Sequence, residues 1–209
     1  IFPNTNIITG EKATEAAIKK LKVPNILHLA THGFFLPDKE VKPIAAGIND
    51  FNNQLEQPRY LNLENPLLRS GLALAGFNSR QNKQSNNTDD GVLTALEVAG
   101  LNLRGTELVV LSACETGLGD VKTGDGVYGL RRALVIAGSQ TQLLSLWLVD
   151  DGGTKDLMVK YYEKVKVGKG RHEALRETQL EFLNNPKYQH PYYWASFIPS
   201  GNWRGLNNY

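Results

Sequence analysis

The sequence predicts an α/β fold with a mostly parallel central sheet and helices on both faces. Apolar runs of strand length carry this prediction: residues 25–31 (NILHLAT), 107–114 (ELVVLSAC) and 140–149 (QTQLLSLWLV). The first two show little polar alternation, the mark of strands covered on both sides. Stretches with apolar residues at helical spacing separate and follow these runs. Such alternation of strand and helix implies parallel pairing through crossover helices, with ligand sites at the carboxyl ends of the strands.

The elements follow in order. Residues 1–9 read as extended, and Ala13, Ala16, Ala17, Ile18 and Leu21 then recur at helical spacing, predicting a helix over about residues 11–22 that Pro24 stops. The run 25–31 is the first strand, and His32-Gly33 lies just beyond its end. From residue 34 to 66 the chain carries Pro37, Pro43, Pro58 and Pro66 with little periodicity, so a long loop with at most short elements is expected. Residues 70–77 (SGLALAGF) are another apolar run. Residues 78–90 (NSRQNKQSNNTDD) hold no apolar residue and read as an exposed insertion.

A short helix is expected over residues 93–101, with Thr94 and Glu97 at capping-box spacing. The strand that delivers Cys114 comes next, followed by glycines and a helix that starts at Asp125 or Gly126 and ends at Gly138. After the strand at 140–149, helices are expected over about 154–166 and 171–183, and a last strand over 192–199 (YYWASFIP). No internal repeat is evident.

Bulk properties narrow the function. The 209 residues are 41% hydrophobic, enough for one domain, taken as residues 1–209. A formal charge of +2, with no long basic run, argues against nucleic acid as a partner. No apolar stretch approaches the roughly 20 residues that span a bilayer, and no signal-peptide layout opens the chain, so no membrane contact is expected. The chain begins at Ile1 without Met and is expected to be the C-terminal part of a longer protein. A single cysteine permits neither an internal disulfide nor a cysteine-rich zinc site, and a reducing, cytoplasmic setting fits it.

Some motifs are set aside on chemistry. GLGDVKTG has Val121 where a phosphate loop needs Gly before the Lys. His28 and His32 have HxxxH spacing, but on a strand they stand about 13 Å apart and cannot share a metal. His28 is read as a buried, hydrogen-bonded structural residue, and Ser112, outside any GxSxG elbow, as packing. No metal and no cofactor is expected. His32 and Cys114 differ from these, since each follows a strand and has small neighbours.

THGFF, LVVLSACETGLG, GDGVYGLRRAL, SLWLVDD and HPYYWASFIPSG, in this order over residues 10–201, closely resemble the CHAT family. These are caspase-like domains often joined to tetratricopeptide repeats and related to caspases, separase and gingipains. The resemblance implies a caspase-like cysteine peptidase with His32 as catalytic histidine and Cys114 as nucleophile. The backbone N–H groups of Gly33 and Cys114 would form the oxyanion hole. It further implies a protein or peptide substrate and an upstream tetratricopeptide-repeat or other sensor region. Separase looks similar around Trp147-Leu148-Val149-Asp150-Asp151, where an acidic residue meets a basic side chain before the cut. Asp150, Asp151, Asp120 and Glu115 are therefore candidates for a pocket favouring Arg or Lys, with capping of the next helix as the other reading of Asp150 or Asp151. Asp125 stands where many relatives have Glu and is expected to be structural. The non-enzymatic alternative is a catalytically silent caspase-like interaction module.

Overall fold

The computed structural model describes residues 1–35, 65–78, 89–112, 125–147 and 150–207. Four strands form the main sheet: β1 (Ile26–Leu29), β5 (Leu108–Leu111), β6 (Thr141–Ser145) and β7 (Phe197–Gly201), in the order β1-β5-β6-β7. β1, β5 and β6 run parallel, and β7 is antiparallel to β6. A second sheet, wholly antiparallel, is formed by β2 (His32–Phe35), β3 (Ser70–Ala73) and β4 (Val92–Thr94).

Strand β5 shows why the sheet needs cover on both sides. All of Leu108, Val109, Val110 and Leu111 are fully buried, at 0% exposure. Successive side chains point to opposite faces. Val109 and Leu111 therefore join Leu27 and Leu144 against Ala95, Val98, Leu130 and Leu134, while Leu108, Val110 and Leu143 pack on Leu157, Tyr161, Leu175 and Phe182. The first group comes from α2 (Ala95–Ala99) and α3 (Asp125–Ala137), with Ile18 of α1 (Glu15–Lys19). The second comes from α4 (Asp151–Lys166) and α5 (Arg171–Leu183). Leu72 and Leu93 place the second sheet on the α2–α3 side.

Local chemistry sets the helix ends. Thr94 and Glu97 form the expected capping box: the Glu97 N–H donates to Thr94 Oγ1 at 3.2 Å, and the Thr94 N–H donates to Glu97 Oε2 at 2.9 Å. Helix α3 ends at Gly138, whose φ of 100° is the left-handed conformation that closes helices on glycine. Helix α1 is shorter than its periodicity suggests, because a 3₁₀ turn over Gly10–Lys12 precedes it. The expected final strand begins later, at Phe197, since Pro191–Tyr193 turns as 3₁₀ helix.

A buried ion pair locks the sheet's other end. Arg171, at the start of α5, donates from Nη2 to Glu107 Oε2 at 2.8 Å and from Nη1 to Thr141 Oγ1 at 2.6 Å. Glu107 also accepts from the backbone N–H of Asn207 at 3.0 Å, which fixes the C-terminal segment there. Glu107 and Thr141 sit where β5 and β6 begin, so the carboxyl ends of those strands lie across the molecule from this clasp.

Candidate active site

Parallel pairing aligns β1 with β5 so that Leu29 is the register partner of Leu111. Just past that pair, the Ser112 N–H donates to the Leu29 carbonyl at 3.0 Å. The chain after β1 then crosses to the second sheet. Thr31 donates its hydroxyl to the Ala73 carbonyl, and His32 and Gly33 enter β2 as register partners of Ala73 and Leu72. His32 is exposed and Gly33 half-buried. Residues 34 and 35, expected in a loop, extend β2 because β3 supplies a distant partner. Cys114, Glu115 and Asp120 lie outside the described residues, as do the GLGDVKTG stretch to Gly124 and most of the loop and insertion expected around residues 36–64 and 79–88.

Asp150 and Asp151 lie beyond the carboxyl end of β6. Asp150 is the N-cap of α4: its Oδ2 accepts from the Gly153 N–H at 2.6 Å. That oxygen satisfies a helix donor that has no partner within the helix. Asp151 is exposed in the first turn. Gly153 is needed for packing, since a Cβ there would lie 2.8 Å from Tyr193 Cδ1. The segment before β7 thus leans on the first turn of α4, and Trp147 packs partly buried on the same cluster.

On the α4 face of the sheet, His28 uses both ring nitrogens. Nε2 lies 2.8 Å from Ser112 Oγ and Nδ1 lies 3.0 Å from the Tyr162 hydroxyl. Hydrogen bonding by His28 agrees with the sequence reading, but its burial does not, because β1 is the outer strand of the main sheet among the described residues. The protein packed around the ring still pushes its pKa down to about 4 by desolvation. Burial likewise raises the Tyr162 phenol, helped by the neighbouring Tyr161. At neutral pH the imidazole is uncharged, with one nitrogen donating and the other accepting. Ser112 is a hydrogen-bonding partner rather than mere packing. The apolar setting of His28 in β1 was the available clue to this network; nothing local pointed to Tyr162, 134 residues away.

A family model described as CHAT domain matches residues 2–202. The chain belongs to the CHAT family. Its mostly parallel sheet with helices on both faces fits the caspase-like layout expected of a CHAT domain. Tetratricopeptide repeat protein 28 of Homo sapiens is 34% identical over 117 residues, which cover 56% of this chain and 5% of that protein. The protein of the same name from Mus musculus is 32% identical over 117 residues, with the same coverage. The matched part of the CHAT domain thus spans a small fraction of these relatives. Among the described residues no helix is long and apolar enough to cross a membrane, and no group of three or more His, Cys, Asp or Glu is arranged to hold a metal ion.

Proposed function

We propose that this CHAT domain is a cysteine endopeptidase in which His32 and Cys114 form the catalytic dyad. The observation that carries the reading is the in-register parallel pairing of β1 with β5. His32 follows Leu29 by three residues, and Cys114 follows Leu111, the partner of Leu29, by three. Exposure of His32 at the start of β2 suits a group that must meet substrate.

The chemistry follows from the residue types. An unperturbed thiol of pKa about 8.5 is only a few per cent thiolate at neutral pH, so His32 takes the Cys114 proton as sulfur attacks the peptide carbonyl carbon. The oxyanion is held by the N–H groups of Gly33 and Cys114, each contributing on the order of 3 kcal/mol. Collapse breaks the C–N bond, His32 protonates the departing amine, and water hydrolyses the thioester to release the acid and restore the thiol.

A preference for Arg or Lys before the cut belongs to the same reading. Asp151 is the stronger of the two described acidic candidates, because Asp150 already caps α4. The names of the curated relatives support a tetratricopeptide-repeat region in the full-length protein. In this reading that region is the sensor that gates cleavage. The test is mass-spectrometric analysis of a diverse peptide library incubated with the wild type and with Cys114→Ala. Cleavage by the wild type alone supports the peptidase. Equal cleavage by both removes Cys114 from the mechanism, and silence from both, with the full-length protein also silent, favours the interaction module.

A further inference from the structure

We infer that Tyr162, His28 and Ser112 form a positioning relay that holds the paired ends of β1 and β5, and through them sets the dyad. The inference rests on the peptidase reading above. Its three members come from three elements far apart in sequence, α4, β1 and the residue following β5. They meet at the point where the backbone ladder between β1 and β5 has its bond from the Ser112 N–H to the Leu29 carbonyl. Beyond Leu29 the chain turns to the second sheet, where Thr31 and His32 engage Ala73. The bond from His28 to Ser112 therefore ties the two strands side chain to side chain, just before the chain segments leading to His32 and Cys114.

The geometry lets the relay run in either direction. With a neutral ring, either the Tyr162 O–H donates to Nδ1 and Nε2–H donates to Ser112, or the Ser112 O–H donates to Nε2 and Nδ1–H donates to Tyr162. Both arrangements satisfy each ring nitrogen. Tyr162 is itself held: Phe2 packs edge-on against its ring at 5.9 Å between centroids, and Tyr161 lies at 5.4 Å. Such a chain resists rotation of the Ser112 side chain and sliding of β1 against β5.

A second nucleophile at Ser112 is the competing reading, and the partners of His28 disfavour it. A serine nucleophile needs a base whose protonated form is stabilised, usually by a carboxylate on the far nitrogen. Here the far nitrogen faces a phenol whose proton burial retains, and desolvation favours the neutral imidazole. The arrangement suits holding rather than proton transfer.

The experiment uses Ser112→Ala, Tyr162→Phe and Ser112→Thr in the full chain. It follows kcat and KM on a peptide the wild type cleaves, the rate at which iodoacetamide alkylates the sole cysteine, and Tm. A misplacement of about 1 Å can cost on the order of 100-fold in rate. Ser112→Ala and Tyr162→Phe are each expected to lower kcat by about tenfold and slow alkylation, with KM within about twofold. Ser112→Thr keeps the hydroxyl and should restore most of the loss. The double variant should be little worse than either single one, because both break the same chain. Wild-type kcat and alkylation in both single variants would overturn the relay. If Ser112→Ala does not fold, Tyr162→Phe decides, since it keeps the ring and its packing. If neither this chain nor the full-length protein cleaves anything, the peptidase reading fails on its own account, while alkylation still decides the relay: slower in the variants supports it, and equal rates overturn it.

Discussion

Arg171 and Glu107 are joined 2.8 Å apart, with the arginine side chain at 0% exposure and the glutamate at 6%. Two charges withdrawn from water this fully depend on each other. Removing one leaves the other buried without its partner, at a cost of about 3–5 kcal/mol. Arg171→Met is therefore expected to lower Tm by roughly 6–20 °C for a domain of this size. Because the pair sits at the end of the sheet where β5 and β6 begin, kcat measured well below the transition should change little. Thermal unfolding and initial rates on the same preparation check both halves, and an unchanged Tm would refute the structural role of the pair.

Thr94→Ala tests the capping box. The substitution removes the acceptor for the Glu97 N–H, while Glu97 keeps its bond to the Thr94 backbone. N-cap losses of this kind cost about 1 kcal/mol. The expected result is a modest drop in the denaturant midpoint with an unchanged m-value. Thr94→Ser should recover it, since the hydroxyl acceptor returns.

Much of this architecture could be read from the chain, and where it could not the reason is non-local. The span of α5 matches the sequence expectation from Arg171 to Leu183, a local stretch with no Gly or Pro to break it. The capping box at Thr94 is local in the same sense. The second sheet was not anticipated: HGFF has only four residues, and it becomes a strand because Ser70–Ala73 lies alongside it. The run 192–199 looks like a strand by composition, yet Pro191 opens a 3₁₀ turn and pairing with β6 begins only at Phe197. At the candidate site, the position of His32 beyond β1 and the capping role of Asp150 are both legible from strand ends and turn chemistry. The exposure of His28 depends on which strand lies outermost, which is a property of topology rather than of any local pattern.

Stability should depend on His28 through pH. Its folded pKa is pushed down to about 4 by desolvation, below the roughly 6.5 of an unfolded histidine. Between those values the unfolded chain binds the proton more readily, so this contribution is fully present above about pH 6.5 and is lost as pH falls towards 4. Wild-type Tm is expected to fall more steeply across that window than the Tm of His28→Gln. His172 is lowered too, by desolvation and then by the charge of Arg171, but it is common to both proteins and cancels in the comparison. Parallel Tm–pH curves for the two would contradict the prediction.

Asp150 and Asp151 can be separated because one of them caps a helix. Asp150→Asn retains an oxygen that can accept from the Gly153 N–H, whereas Asp150→Ala removes it. The alanine variant is expected to lose about 1 kcal/mol of stability and the asparagine variant much less. Both lose the charge. If Asp151 is the carboxylate that meets a basic side chain before the cut, Asp150→Asn should leave the preference for Arg or Lys largely intact. Asp151→Asn should then lower kcat/KM for those substrates by about tenfold or more, since a charge-assisted hydrogen bond contributes about 1.5–3 kcal/mol. Rates on uncharged substrates should change much less. Competition kinetics on matched peptides differing only in the residue before the cut measure this directly. A loss of basic preference in Asp150→Asn instead would move the pocket to the capping residue, and a loss in neither would take both aspartates out of the recognition of a basic side chain.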